Sequence, residues 1–178
     1  TENMLSAFGA DIHTVNSTTT LIANRPFTLP EEFTYHVPGD ISSAGFLIAA
    51  AILTRKNITL SNVGMNPTRK RFLDILIASG LEMEISHRKD EWNEISGTLE
   101  IFGADSTVLK PLEISPEDIP LLIDEIPLLA VLASFCNGQT IITNAGELRN
   151  KESDRISALV SNLSTWGVNV TEKNDGVI

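Results

Sequence analysis

Apolar positions along this chain follow two periods, and the switches between them mark out its elements. Met4, Leu5 and Phe8 form the stripe of a helix tail over Thr1–Gly9, with Gly9 as its stop. Asp11–Val15 alternates apolar and polar residues as a half-buried strand does. Asn16–Thr20 is polar and predicts a turn region. Leu21–Ala23 and Thr34–Val37 are short strand candidates flanking a loop that carries Pro26 and Pro30. After Pro38-Gly39-Asp40 the run Ala44–Leu53 is apolar on every side, which predicts a helix buried all round and capped by Asp40 or Ser42. Asn57–Leu60 reads as a strand. Asn66-Pro67 opens a second helix with Pro67 at its first position, Phe72, Ile75 and Leu76 as its stripe and Gly80 as its end. Leu81, Met83 and Ile85 alternate as a strand, Asp90-Glu91 marks a turn, and Thr98–Phe102 is the returning strand.

The same order then returns. Ile126–Phe135 is an apolar helix, Asn137-Gly138 a turn, and Thr140–Thr143 a strand. An amphipathic helix follows, with Ile156, Leu159, Val160 and Leu163 on one stripe, Asn150 as its expected N-cap and Gly167 as its C′ residue. Val168-Asn169-Val170 is the next strand candidate. ILTRKNITLSNVG, ending at Gly64, parallels SFCNGQTIITNAG, ending at Gly146, and Gly80 parallels Gly167. The shift grows from 82 to 87 residues between these landmarks, so the second copy gains five residues, expected in or beside Glu147–Asp154. Gly9 reads as the end of a still earlier copy. Each unit is βαβαββ, so the fold class is α/β, with parallel and antiparallel strands mixed around buried helices. The start at Thr1 and the strand-like end at Val177-Ile178 read as a piece of a longer protein.

Composition narrows the function classes. Apolar content of 42% and charged content of 20% are ordinary for a globular protein. The longest apolar run is too short for a membrane helix, and the net charge of −10 argues against a nucleic-acid surface. The lone Cys136 sits in an apolar run, where a small buried hydrophobe is the stronger reading, and it points to a reducing, cytoplasmic compartment. His13, His36 and His87 are scattered and support no metal site. There is no glycine-rich phosphate loop.

An anionic ligand would need a local cationic cluster to overcome the global field. Glu147-Leu148-Arg149-Asn150-Lys151-Glu152-Ser153-Asp154-Arg155-Ile156 is the best one, placed just before the amphipathic helix. Helical spacing would project Lys151, Glu152 and Arg155 from one side of its first turns. Free N–H groups and the helix dipole attract anions there, and arginine grips a carboxylate or phosphate with two parallel hydrogen bonds. A glutamate between two cations suits proton exchange with a bound anion. Spacing alone favours the plainer reading of solvated helix pairs, each worth ~0.2–0.5 kcal/mol.

Three motifs in order, PGDISSAGFLIAAAI, DEIPLLAVLA and ELRNKESDRI, resemble the 5-enolpyruvylshikimate-3-phosphate synthase family over essentially all 178 residues. The last motif, a basic residue and a spacer before Lys-Glu-Ser-Asp-Arg-Ile, is the most specific. The resemblance implies two similar domains of three βαβαββ units each. Residues 1–38 would finish one domain, Gly39-Asp40 would be a crossover, and 39–178 would be two units of the second. It implies a transferase of the shikimate pathway of aromatic amino-acid biosynthesis. The enolpyruvyl group of phosphoenolpyruvate passes to the 5-hydroxyl of shikimate 3-phosphate, with no metal or organic cofactor.

By the same resemblance, Asp124 contacts the shikimate hydroxyls and is a candidate base. Glu152 is a candidate proton donor and acceptor, Lys151 faces the substrates, and Arg155 binds phosphoenolpyruvate or the inhibitor glyphosate. Glu147 stands where some members have an asparagine. Without the family, Asp124 in Asp-Glu-Ile-Pro would read as a helix cap. The family's N-terminal Lys-Ser and Arg, its middle Ser-Ser-Gln run and its late His-Arg and Lys are absent here. The 178 residues alone are therefore expected to be inactive or nearly so, with the parent a monomer and the piece prone to self-association through exposed apolar faces. The competing readings are the sister transferase acting on UDP-N-acetylglucosamine and a non-catalytic anion-binding module.

Overall fold

The structure is a computed structural model that describes residues 2–16, 18–23, 31–103 and 109–178. The loop expected around Pro26 and Pro30 lies outside the described residues. Helix α1 (Glu2–Ala7) leads into a hairpin of β1 (Ile12–Val15) and β2 (Thr18–Leu21). The second strand thus begins inside the stretch read as a turn. Three consecutive threonines carry it, and β-branched side chains favour the pleated backbone despite their polarity.

The first full unit runs α2 (Ile41–Thr54), β3 (Ile58–Gly64), α3 (Arg71–Ala78), β4 (Glu82–Glu91) and β5 (Glu94–Phe102). Its sheet has the order β3-β5-β4, antiparallel throughout, and its missing first strand is reduced to one parallel bridge, Gly39 to Val63. On β5, Leu99 and Ile101 turn inward, as period-two alternation requires. The second unit repeats this in thinner form: a 3-10 turn (Pro116–Asp118), α4 (Ile119–Leu122), α5 (Ile126–Ala133), a 3-10 turn (Gly146–Asn150), α6 (Arg155–Thr165), β6 (Glu172–Lys173) and β7 (Gly176–Val177). The strand expected at Thr140–Thr143 is a single antiparallel bridge, Ile142 to Val177, which stands where β3 meets β5 in the first unit.

The glycine landmarks hold for a physical reason. Gly9, Gly80 and Gly167 all have left-handed φ, at +86°, +106° and +82°. Each closes its helix with the same pair of bonds: Ala10 N–H to Leu5 O and Gly9 N–H to Ser6 O, and likewise Leu81 to Leu76 and Gly80 to Ile77, and Val168 to Leu163 and Gly167 to Ser164. The third pair takes Val168 into the helix cap, and the strand begins at Glu172 instead of at Val168–Val170. Of the five extra residues in the second copy, two lie between Gly146 and α6, and three lengthen α6 relative to α3.

Other expectations shift by a few residues. The Asn66 side chain accepts from both the backbone N–H and the hydroxyl of Thr68, so a turn occupies 67–70 and α3 starts at Arg71 rather than Pro67. The β4–β5 turn falls on Trp92-Asn93, both at left-handed φ, as a two-residue hairpin turn requires, and not on Asp90-Glu91. Among the described residues, Thr34–Val37 joins no strand ladder. Instead His36 N–H donates to Glu91, and the Trp92 indole N–H donates to Thr34 O. Phe8 and Phe33 pack on the Trp92 ring at 5.0 and 5.9 Å, anchoring the N-terminal segment to this hairpin tip.

Helix α2 is not buried all round. Asp40 caps it, accepting from the Ser43 N–H at 2.8 Å. Ile41, Ala44, Ile48 and Ile52 face the core, but Phe46 is 67% exposed and Leu47 51%. Gly45 lets α2 approach α5, because a Cβ there would lie 3.1 Å from Leu128. The core between them holds Ile48, Phe72, Leu76, Leu122, Ile126, Leu129 and Leu132, each almost completely buried.

Candidate functional site

The opening of α6 differs from its expected form. The N-cap is Asp154, whose carboxylate accepts from the Ser157 N–H at 3.0 Å, and not Asn150, which ends the preceding 3-10 turn. Arg155 is therefore the first residue of the helix, and Lys151 and Glu152 lie in the non-helical link before it. An aspartate caps better here because its charge also meets the helix dipole. The Ser157 N–H is the main cause holding Asp154 below the ordinary aspartate range.

The three cations of this stretch have separate tasks. Arg149 is fully engaged: it donates to Asn174 O, Lys173 O, Asp154 and Glu172 at 2.6–2.9 Å and so ties the link to the β6–β7 hairpin. Lys151 has only Glu147 within ion-pair range, at 3.4 Å, among the described residues. Arg155 donates to Glu152 at 2.7 Å and stands 3.9 Å from Asp124. The last distance is too long for a hydrogen bond, so most of the five guanidinium donors remain available to a ligand.

Asp124 enters from a different element. It sits in the turn between α4 and α5, and the buried face of α5 fixes that turn against the core. Asp124, Glu152 and Arg155 therefore meet at one place, with Lys151 one residue from Glu152 and Glu147 on Lys151. Glu152 is open to solvent. The Glu152 N–H, and then Arg155, hold its carboxyl below the ordinary glutamate range, so at neutral pH it is an acceptor and a base, not a loaded acid.

Sequence reasoning passed over a second constellation next to this one. Glu125, only 4% exposed, accepts from the Ser42 hydroxyl, and Arg69 donates to the same hydroxyl at 2.6 Å. Arg71 makes a two-pronged pair with Asp118, at 2.7 and 3.0 Å, joining the two units. These partners lie 27 to 83 residues apart, and no local motif signals them. The repeat does give one clue: Arg71 opens α3 just as Arg155 opens α6.

An open cavity of about 850 Å³ lies at the other end of the same helices. Its lining mixes apolar side chains, among them Leu53, Phe135 and Trp166, with polar ones such as Gln139, Thr140 and Asn169. Burial pushes the Cys136 thiol up, as fits an inert packing residue. His13 stands beside Asp11 and His36 beside Glu91, and no group of three metal-ligating side chains forms among the described residues. No helix there is long and apolar enough to cross a membrane.

Comparison with known proteins covers the whole chain. The family model for EPSP synthase (3-phosphoshikimate 1-carboxyvinyltransferase) matches residues 1–178. The 3-phosphoshikimate 1-carboxyvinyltransferases of Desulforamulus reducens and Petrotoga mobilis are 45% and 44% identical over 99% of this chain. The chain spans about 40% of the length of these curated relatives. The solved structure of EPSP synthase from Acinetobacter baumannii superposes with a TM-score of 0.87 at 34% identity, covering 99% of this chain and 39% of that one. Repeated βαβαββ units, the Lys-Glu-Ser-Asp-Arg-Ile link and these matches lead to one conclusion: the chain belongs to the EPSP synthase family.

Proposed function

We propose that the full-length protein containing this chain transfers the enolpyruvyl group of phosphoenolpyruvate to the 5-hydroxyl of shikimate 3-phosphate, in the cytoplasm and as a monomer. Residues 1–38 finish one domain, and 39–178 supply two units of the other. One observation carries this reading: Arg155, at the start of α6, stands between Glu152 at 2.7 Å and Asp124 at 3.9 Å, although Asp124 comes from a separate helix turn.

The roles follow from the chemistry. The 5-hydroxyl oxygen attacks the central carbon of phosphoenolpyruvate, and Asp124 takes its proton. The methylene carbon gains a proton, giving a tetrahedral intermediate that still carries phosphate. The new methyl group then loses a proton as the C–O bond to phosphate breaks, which restores the double bond. Glu152 starts as a carboxylate, so it takes up a proton from solvent before the addition, gives it to the methylene carbon, and as a carboxylate again takes it back from the methyl group in the elimination, while Asp124 passes its proton to the departing phosphate. Arg155 grips the phosphoenolpyruvate anion through its fork, and Lys151 supplies a point charge beside it. They act among the carboxylates of Glu147, Glu152 and Asp124 in a chain whose net charge is −10, so directed hydrogen bonds from Arg155, not net charge, select the anion.

The test is acceptor choice. Purified full-length protein is supplied with phosphoenolpyruvate and either shikimate 3-phosphate or UDP-N-acetylglucosamine, and phosphate release is followed. Turnover with shikimate 3-phosphate alone is expected. Turnover with the nucleotide sugar would assign the protein to the sister reaction, and turnover with neither would leave only an anion-binding module.

A further inference from the structure

Glu125 is a buried carboxylate that no step above uses. It follows Asp124 directly and occupies the N-cap position of α5, yet its side chain caps nothing there. Its side chain is 4% exposed, whereas that of Asp124 is 49% exposed. The Ser42 hydroxyl gives its one proton to Glu125 and accepts from Arg69 Nη2 at 2.6 Å, which uses both capacities of the oxygen. Arg69 Nη2 also lies 3.8 Å from Glu125 Oε1 and 3.8 Å from Asp40 Oδ1. Three separate pieces of chain thus meet on one carboxylate: the start of α2, the turn before α3 and the turn before α5.

A buried carboxylate without partners is costly, so Glu125 has one favourable place, set by Ser42 and Arg69. Asp124 has no comparable anchor. Its contact with Arg155, at 3.9 Å, exceeds hydrogen-bond length, so its place is set by its turn, which buried Leu122 and Ile126 hold at either end and the Glu125 side chain holds between them. The clamp also reaches Asp40, next to Gly39, whose N–H donates to Asn62 O at 2.7 Å. The Asp124 turn is therefore tied to the segment entering the second domain.

We propose that Glu125 is a positioning residue for Asp124, holding the turn through Ser42 and Arg69 so that the Asp124 carboxylate faces the substrate hydroxyl. This inference rests on the reading of Asp124 as the base. A base displaced by about 1 Å loses rate on the order of a hundredfold, while binding by Arg155 and Lys151 is untouched.

The test is a double-mutant cycle in the full-length protein: wild type, Glu125→Gln, Asp124→Asn and the pair. Turnover of shikimate 3-phosphate with phosphoenolpyruvate is expressed per binding-competent site, counted by calorimetric titration with shikimate 3-phosphate. Glu125→Gln is expected to lower kcat about 10- to 100-fold with the KM for phosphoenolpyruvate within about threefold of wild type. In the Asp124→Asn background the same change is expected to alter kcat by less than about twofold, because its target is already gone. An equal loss in both backgrounds would make Glu125 merely structural and overturn the inference. So would an unchanged kcat in Glu125→Gln. If Glu125→Gln does not fold, Ser42→Ala takes its place in the cycle, with about a 5- to 10-fold loss expected only where Asp124 is present. Asp124→Asn without effect would remove the base reading and the inference together. Loss in Asp124→Asn beside a silent Glu125→Gln would remove the inference alone.

Discussion

Replacing Asp118 by asparagine keeps the shape of the side chain and deletes its charge. Its carboxylate accepts from Arg71 Nε at 2.7 Å and Nη2 at 3.0 Å, and from the Ser115 hydroxyl and N–H at 2.9 and 3.2 Å. The Asp118 side chain is 12% exposed and that of Arg71 37%, so the abandoned guanidinium recovers part of its hydration. The cost is then at the low end for breaking a buried pair, about 3 kcal/mol. For a chain of this size that lowers Tm by about 6–12 °C. The pH dependence follows from the direction of the shift. Arg71 first, then Ser115, hold the Asp118 carboxyl below the ordinary aspartate range. Its contribution is complete above the unfolded value of about 3.9 and is lost as pH falls through the lower folded value. Urea titration of the 178-residue chain at pH 7 and again near pH 3 measures both effects. The gap between wild type and Asp118→Asn should be wide at pH 7 and shrink markedly in acid. A gap below about 0.5 kcal/mol at pH 7, or one unchanged in acid, would refute the reasoning.

Three further outcomes are expected. Asp154→Ala removes the α6 cap and should lower the urea midpoint of unfolding, and Asp40→Ala should cost about 1 kcal/mol at α2. Arg155→Lys in the full-length protein replaces a two-pronged donor by a point charge and should raise the KM for phosphoenolpyruvate about 10- to 100-fold, read from initial rates. The isolated chain exposes Phe46, Leu47, Phe135 and Trp166, at 67%, 51%, 65% and 71%. Sedimentation equilibrium should give a mass above 19.4 kDa at tens of micromolar, returning to the single-chain value in Phe46→Lys/Phe135→Lys.

What sequence made legible follows from the range of the forces involved. Glycine landmarks were readable because the left-handed cap at Gly9, Gly80 and Gly167 is a local steric requirement. The stripes of α3 and α6 were readable because periodicity is written in consecutive residues. Boundaries slipped where a side chain competed for the backbone: Asn66 delayed α3, and Asp154 took the cap expected of Asn150. The all-round apolar helix misled because composition shows that a face is apolar, not what covers it. Within the candidate site, Lys151, Glu152 and Arg155 come from one motif and were visible together. The clamp of Ser42, Arg69 and Glu125 is made of residues that meet only when the two units pack, so no local pattern announced it.

The account depends above all on Glu152, beside Arg155, giving a proton to the methylene carbon of the substrate and taking it back. The direct measurement is turnover of the full-length Glu152→Gln variant, with shikimate 3-phosphate binding measured on the same sample by calorimetry. The side chain keeps its length and loses only the ability to take up and release a proton. A fall in kcat of about 10²–10⁴-fold, with the dissociation constant within about threefold of wild type, is the predicted result. Turnover at the wild-type rate would contradict it.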